Sequence, residues 1–342
     1  MARKKHKANE LVVVPQSPDV TSGQLTLPPE QFPTLITQAG GAAQFAYEEF
    51  MLARIRNPRT RQTYTIAINQ FLSWCQQRSL PLPQITPGDV GSYFDQHPGK
   101  SNTKNTHLSA IRHLFDRLVL RHVIVLNPAH SVRGEKHQAI EGQTPPVSPE
   151  TTAKLLASID TTNIVGLRDY TIIATLAYTL ARVGAVAKLT RSSLQTGSDD
   201  WQLKFNEKGG KQRVIPVRHD LKVCLRAYLE AADLDHAPKR SPLFRSTIRR
   251  EKRLTKHGLS GHAMCRMFKR RLKDAALPNY LSPHGVRGGG ATDLLEQGVP
   301  REEVQYLLGH SDPRTTDYYD HRRKRVTRNV VERLSAVVMH VE

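Results

Sequence analysis

A run of chain-breaking residues constrains this sequence most. Gly134, Gly142, Pro145, Pro146 and Pro149 fall close together around 134–148 and separate two long stretches of helical pattern. Proline withholds a backbone donor and glycine resists ordering, so such a run reads as a linker between domains. The length agrees, since 342 residues at roughly 150 per domain predicts about two. Residues 1–40 hold Pro15, Pro18, Pro28, Pro29 and Pro33 with little periodicity, which predicts a flexible arm, basic at Arg3, Lys4, Lys5 and Lys7. The expected domains are therefore 41–133 and 149–325, with 134–148 between them and a tail at 326–342.

The first domain reads as all helical. Asn57-Pro58 is a helix start, and Tyr64, Ile68, Phe71, Leu72 and Cys75 recur behind it on one face. Thr86-Pro87 opens a second helix through Val90, Tyr93 and Phe94. Ser101 is placed to cap another with Leu108, Ile111, Phe115 and Leu118 inward, leaving Lys104, Arg112 and Arg117 outside. Four helices are expected between about 42 and 122. In the second domain, helices are expected at about 149–159 and 164–181. Two short strands, 201–205 and 212–217, flank Asn206-Glu207-Lys208-Gly209-Gly210-Lys211, whose glycines suit a tight hairpin. The rest reads mostly helical. The fold class expected is mostly α with a small antiparallel β-sheet.

Charge narrows the partner. Fifty Lys and Arg against 31 Asp and Glu leave a formal +19, which favours a polyanion, most often nucleic acid. Local clusters repeat the signal: Arg245, Arg249, Arg250, Lys252, Arg253 and Lys256 surround only Glu251, and Arg322, Arg323, Lys324, Arg325 and Arg328 form another. The longest mainly apolar run, 170–181, carries three threonines and is too short to span a bilayer. Three distant cysteines, Cys75, Cys224 and Cys265, argue against a disulfide framework and for a reducing, cytoplasmic location. His257, His262 and Cys265 are too irregularly spaced for a zinc site, and no acidic cluster suited to Mg²⁺ is present.

The chemistry concentrates near the C-terminus. Ser282-Pro283 starts a helix with His284 and Arg287 three apart on its first turn, where free N–H groups and the helix dipole already favour an anion. Gly309 should end a helix begun at Pro300, leaving His310 just beyond it. Asp312-Pro313 starts the next, bearing Thr315, Thr316, Tyr318 and Tyr319. Upstream, Arg182 interrupts an apolar run, where a buried charge would need a partner or an anion.

Together, Arg182, Lys208, His284-x-x-Arg287, His310 and Tyr319 resemble the tyrosine recombinase (phage integrase-like) family. The segment Leu-Leu-Gly-His-Ser-Asp-Pro-Arg-Thr-Thr-Asp-Tyr-Tyr at 307–319 matches the family's Leu-Gly-His-x-x-x-x-Thr-Thr-x-x-Tyr signature. The match runs over roughly 42–325. It implies an all-α DNA-clamping domain before an α+β catalytic domain, and a site of two arginines, a hairpin lysine, two histidines and a tyrosine around one scissile phosphate. By the family's nine-residue spacing from the histidine, Tyr319 rather than Tyr318 is the nucleophile. By register, Lys208 is the catalytic lysine and Lys211 a supporting DNA contact. Two departures stand out: Ala185 where the family often has an acid, and Gly288-Gly289-Gly290 after Arg287. The glycines imply either a close backbone approach or a weakened helix.

The implied reaction suits these residues. Arg182 and Arg287 can clamp the non-bridging oxygens and His310 can donate one more hydrogen bond. His284 is a candidate proton acceptor for the tyrosine, whose ordinary pKa is about 10, and Lys208 can protonate the leaving 5′-oxygen. The resemblance implies a covalent 3′-phosphotyrosine and a Holliday junction, with no cofactor, neither ATP nor metal. It also implies duplex DNA as partner and a homotetramer docked through the tail, where Val326, Val330, Val331, Leu334, Val337 and Val338 form an apolar helical face. Lys104, Arg112, Lys211, Arg249 and Arg250 are the candidate DNA contacts. Two alternatives share the evidence: a type IB topoisomerase-like enzyme, and a DNA-binding protein with a degraded site.

Overall fold

In the computed structural model the described residues are 27–135, 144–197, 200–206, 212–248, 251, 253–310, 312–317 and 319. The hairpin tip with Lys208 and Lys211, the pair Arg249 and Arg250, Tyr318, the arm before 27 and the tail all lie outside them. The chain divides into two compact units at Gln138/Ala139.

The first unit is helical: α1 (Thr34–Gln38), α2 (Gly41–Glu49), α3 (Pro58–Gln77), α4 (Pro87–Gln96) and α5 (Ser101–Leu120). Local signals start the helices. Asn57 Oδ1 accepts from the Arg59 amide at 2.9 Å, and Thr86 and Asp89 close a reciprocal capping box. Ser101, expected as a cap, is instead the first helical residue behind Lys100. Ile68, Phe71, Leu72 and Cys75 of α3 meet Leu108, Ile111, Phe115 and Leu118 of α5 in one core. That core also contains Leu35 and Ile36 of α1. The expected arm is therefore too long, because residues after Leu27 have apolar surface that this core buries.

The second unit holds α6 (Pro149–Ala157), α7 (Ile164–Thr179), α8 (Val183–Val186), β1 (Leu194–Thr196), β2 (Trp201–Asn206), β3 (Gln212–Pro216), α9 (His219–Ala231), β4 (Arg245–Ile248), β5 (Arg253–Gly258), α10 (Gly261–Asp274), α11 (Pro283–Glu296), α12 (Arg301–Leu308) and α13 (Arg314–Asp317). The sheet β1-β2-β3 is antiparallel and pairs Leu203 with Ile215 and Phe205 with Arg213. A second antiparallel pair, β4-β5, occupies sequence expected to be helical. Among the described residues no helix is long and apolar enough to cross a membrane.

The buried helix α7 centres this unit. Its polar residues are satisfied internally: Thr171, Thr175 and Thr179 each donate to the carbonyl four residues back, at 2.7, 2.7 and 2.6 Å. Asp169, fully buried, receives Arg168 at 2.5 Å, Arg270 at 2.9 Å and Arg271 at 2.8 Å. One carboxylate among three guanidinium groups thereby joins α7 to α10.

Candidate active site

The site forms where the ends of α7 and α12 meet the first turns of α11. Ser282 Oγ accepts from the Gly285 amide at 3.2 Å and starts α11. The helix continues unbroken through Gly288, Gly289 and Gly290. These glycines therefore mark close approach. A Cβ on Gly289 would stand 1.8 Å from the Val147 carbonyl oxygen, one on Gly290 would stand 2.5 Å from Leu180 Cδ2, and one on Gly288 3.3 Å from the Tyr319 ring. On the same side the Val147 amide donates to the Gly285 carbonyl at 2.9 Å, so residues after Pro145 lie along α11.

Arg287 is 1% exposed. Its Nη1 donates to the Leu180 carbonyl, and its Nη2 donates to the Leu308 carbonyl at 2.6 Å and to His310 Nε2 at 2.8 Å. Leu180 ends α7 in the left-handed region, with φ 48° and ψ 26°. That conformation is strained for a residue other than glycine, asparagine or aspartate. It turns the chain, aims a carbonyl at Arg287 and throws Arg182 outward. Arg182 is accordingly exposed as the N-cap of α8, where the sequence suggested a buried charge.

His310 follows the C-cap Gly309, which has φ 62° and releases the chain from α12. Its Nδ1 lies 3.0 Å from Thr316 Oγ1, and its ring stacks on Tyr319 with centroids 6.1 Å apart and planes 14° from parallel. A guanidinium only donates, so Nε2 is the acceptor and the ring proton sits on Nδ1, pointing at the Thr316 hydroxyl. Burial first, then the charges of Arg287, Arg182 and Arg213 and of His284, push the His310 pKa down to about 3. His310 is thus neutral, and without a phosphate both ring nitrogens are engaged, Nε2 by Arg287 and Nδ1 by Thr316. His284 is exposed on the first turn of α11. Its pKa is also lowered, by desolvation and then by Arg287 and Arg182.

Tyr319 packs against the small apolar cluster of Leu180, Ala291, Leu295, Val304 and Leu308. Its carbonyl accepts from Thr292 Oγ1 at 3.2 Å and its amide donates to the Thr316 carbonyl at 3.0 Å. The structure thus brings Arg287, His310 and Tyr319 into contact and sets His284 and Arg182 close enough for their charges to act on His310. Lys208 falls outside the described residues.

Two residues here were missed in the sequence, Leu180 and Arg213, and Thr316 stood in the signature without a role. Arg213 is buried on β3, 5.4 Å over the Phe205 ring, and adds positive potential at His310. Strand alternation could have found it, since residues 213 and 215 share the inward face. Two of the candidate DNA contacts have partners within the chain. Arg112 Nε donates to the Ala129 carbonyl at 2.9 Å and its Nη2 to Val132, while Lys104 pairs with Glu135 at 2.8 Å. Both side chains fasten the segment after α5, because its carbonyls and carboxylate lie within their reach.

Known proteins extend the pattern. The model of the "Phage integrase family" matches residues 147–325, and that of "Phage integrase, N-terminal SAM-like domain" matches 46–124. The tyrosine recombinase XerD of Listeria innocua is 29% identical over 275 residues, covering 77% of this chain and 87% of that protein. The tyrosine recombinase XerC of Chlamydia caviae is 23% identical over 304 residues, covering 82% and 94%. A solved XerH site-specific recombinase, in a post-cleavage complex with palindromic difH substrate, shares the fold with TM-score 0.66 at 19% identity, over 84% of this chain and 83% of that one. A lambda integrase dimer bound to a COC' core site gives 0.61 at 20% identity, over 85% and 77%.

Proposed function

The chain belongs to the phage integrase family and is a tyrosine recombinase, and from that premise we propose that Tyr319 is the nucleophile with which it cuts and rejoins duplex DNA at specific sites. The observation that carries the assignment is the contact chain Arg287–His310–Tyr319, a cation, a neutral imidazole and a phenol in sequence. Arg287 and Arg182 hold the phosphate through its non-bridging oxygens and offset the charge that grows there in the transition state. Arg287 is held by two main-chain carbonyls, so its charge is fixed before substrate arrives. The Tyr319 oxygen attacks phosphorus and the bond to the 5′-oxygen breaks. The phenolic proton passes to His284, which desolvation and neighbouring cations keep neutral and able to accept it. Lys208 gives the departing 5′-oxygen its proton. The resulting 3′-phosphotyrosine keeps the bond energy, and a 5′-hydroxyl from a second duplex reverses the step, through a Holliday junction.

The finer assembly is a homotetramer on DNA. An apolar groove of about 530 Å³ lies between β3 and α12, lined by Val214, Ile215, Val299, Glu302, Glu303 and Tyr306 among others. The 326–342 sequence, apolar on one helical face and directly preceded by four basic residues, complements it and would reach it on a neighbouring copy.

The test is covalent trapping. Nicked duplexes from the regions flanking the gene are incubated with wild type, Tyr319→Phe and Tyr318→Phe and separated on a denaturing gel. A covalent band is expected with wild type and Tyr318→Phe, and loss of at least about a thousandfold with Tyr319→Phe. A band lost only in Tyr318→Phe overturns the assignment.

A further inference from the structure

We infer that Thr316 is a positioning residue: its buried hydroxyl supports the Nδ1-protonated form of His310 that Arg287 selects, and lets that proton be relocated when a phosphate enters. This deepens the proposed function and rests on it only for its activity arm.

The argument starts from donor counting. Thr316 is fully buried, on the short helix between His310 and Tyr319. Its Oγ1 lies 3.0 Å from His310 Nδ1, while Arg287 Nη2 occupies Nε2 at 2.8 Å. Arginine has no acceptor, so the free protein must carry the proton on Nδ1, donated to Thr316. That tautomer suits the guanidinium and does not suit a phosphate oxygen, which needs an N–H from Nε2. A carboxylate or carbonyl in place of Thr316 would fix the Nδ1–H form permanently. A hydroxyl accepts or donates by turning about one bond. When phosphate oxygens replace the guanidinium hydrogen bond, Nδ1 loses its proton to water, Nε2 takes one from water, and Thr316 O–H then donates to Nδ1. The ring stays neutral throughout, in keeping with surroundings that resist its protonation.

The same residue reaches the nucleophile. The Tyr319 amide donates to the Thr316 carbonyl at 3.0 Å, and the Thr316 amide donates to Pro313 at 2.9 Å. Thr316 therefore fixes the histidine by its side chain and the tyrosine by its main chain, so the ring stack depends on it twice. Val or Ala would preserve helix α13 but leave Nδ1 without a partner.

The experiment reads the tautomer in the full chain with ¹⁵N-labelled histidine, using the His310→Gln spectrum to assign the ring. Wild type and Thr316→Ser should show His310 protonated on Nδ1. Thr316→Val should show that population fall by at least about threefold. An Nε2–H ring in wild type overturns the proposal, as does an unchanged tautomer ratio in Thr316→Val. On any nicked duplex that wild type traps covalently, Thr316→Val should react at least about tenfold more slowly at unchanged DNA affinity, and Thr316→Ser should recover to within about threefold. Equal rates in Val and wild type overturn it too. If wild type traps no duplex, the recombinase assignment suffers, while the spectrum still judges Thr316.

Discussion

His310 is a weak base by design of its surroundings, and stability should report it. Its pKa falls from 6.5 to about 3 on folding. Above pH 6.5 the ring is neutral in both states and folding is unaffected. Between 6.5 and 3 the unfolded chain takes a proton that the native state refuses, so stability drops as pH falls, by up to about 1.4 kcal/mol per pH unit for this one group. Urea unfolding at pH 7.0 and 5.5 should therefore show a smaller loss in His310→Gln than in wild type. Equal losses would mean that the ring protonates freely in the fold. At this scale the sequence was informative wherever spacing along one helix or across one cap decided the outcome. His284 and Arg287 share a turn, and Gly309 does place His310 beyond a helix end. Leu180 gave no signal, because a left-handed leucine is held by contacts from α11 and not by its own preference. Thr316 stood in the signature, but only the folded chain brings His310 back against it.

Among the elements, the junction of α7 and α10 carries a charge cluster beside its apolar core. Asp169 is completely buried and receives Arg168, Arg270 and Arg271. Replacing the carboxylate by an amide leaves the buried Arg168 and the partly buried Arg270 and Arg271 facing a neutral group. Asp169→Asn should cost about 3–5 kcal/mol in chemical denaturation, against less than about 1 kcal/mol for exposed Asp220→Asn. The helices of both units were legible because their caps are local: Asn57, Thr86, Ser148 and Ser282 each accept from a nearby amide. The β4-β5 hairpin was not. Its strands alternate poorly, with five charged or histidine side chains among the described positions 245–258, so charge masked the period of two. Likewise α1 has only Leu35 and Ile36 to declare it, and those find a core through α2 and α3.

For the whole molecule, two separate cores were readable from the Gly and Pro run, whereas assembly was not. The groove between β3 and α12 exists only once the fold is complete. If the tail fills that groove on a neighbouring copy, truncation after Arg325 should leave affinity for a single site within about threefold. The same truncation should remove complexes larger than two protomers, as read by mass photometry on duplexes carrying paired sites. Tetramers that persist after truncation would place the contact elsewhere. The stretch from Pro145 to Val147 lies in the channel left open by Gly285 and Gly289, with a practical corollary. Its residues belong to the catalytic body although they precede its first helix, so an autonomous fragment cannot begin at Ser148. Cut there, the helix bearing Arg287 would present a bare backbone trough to water; begun a few residues earlier, it would keep its own lining.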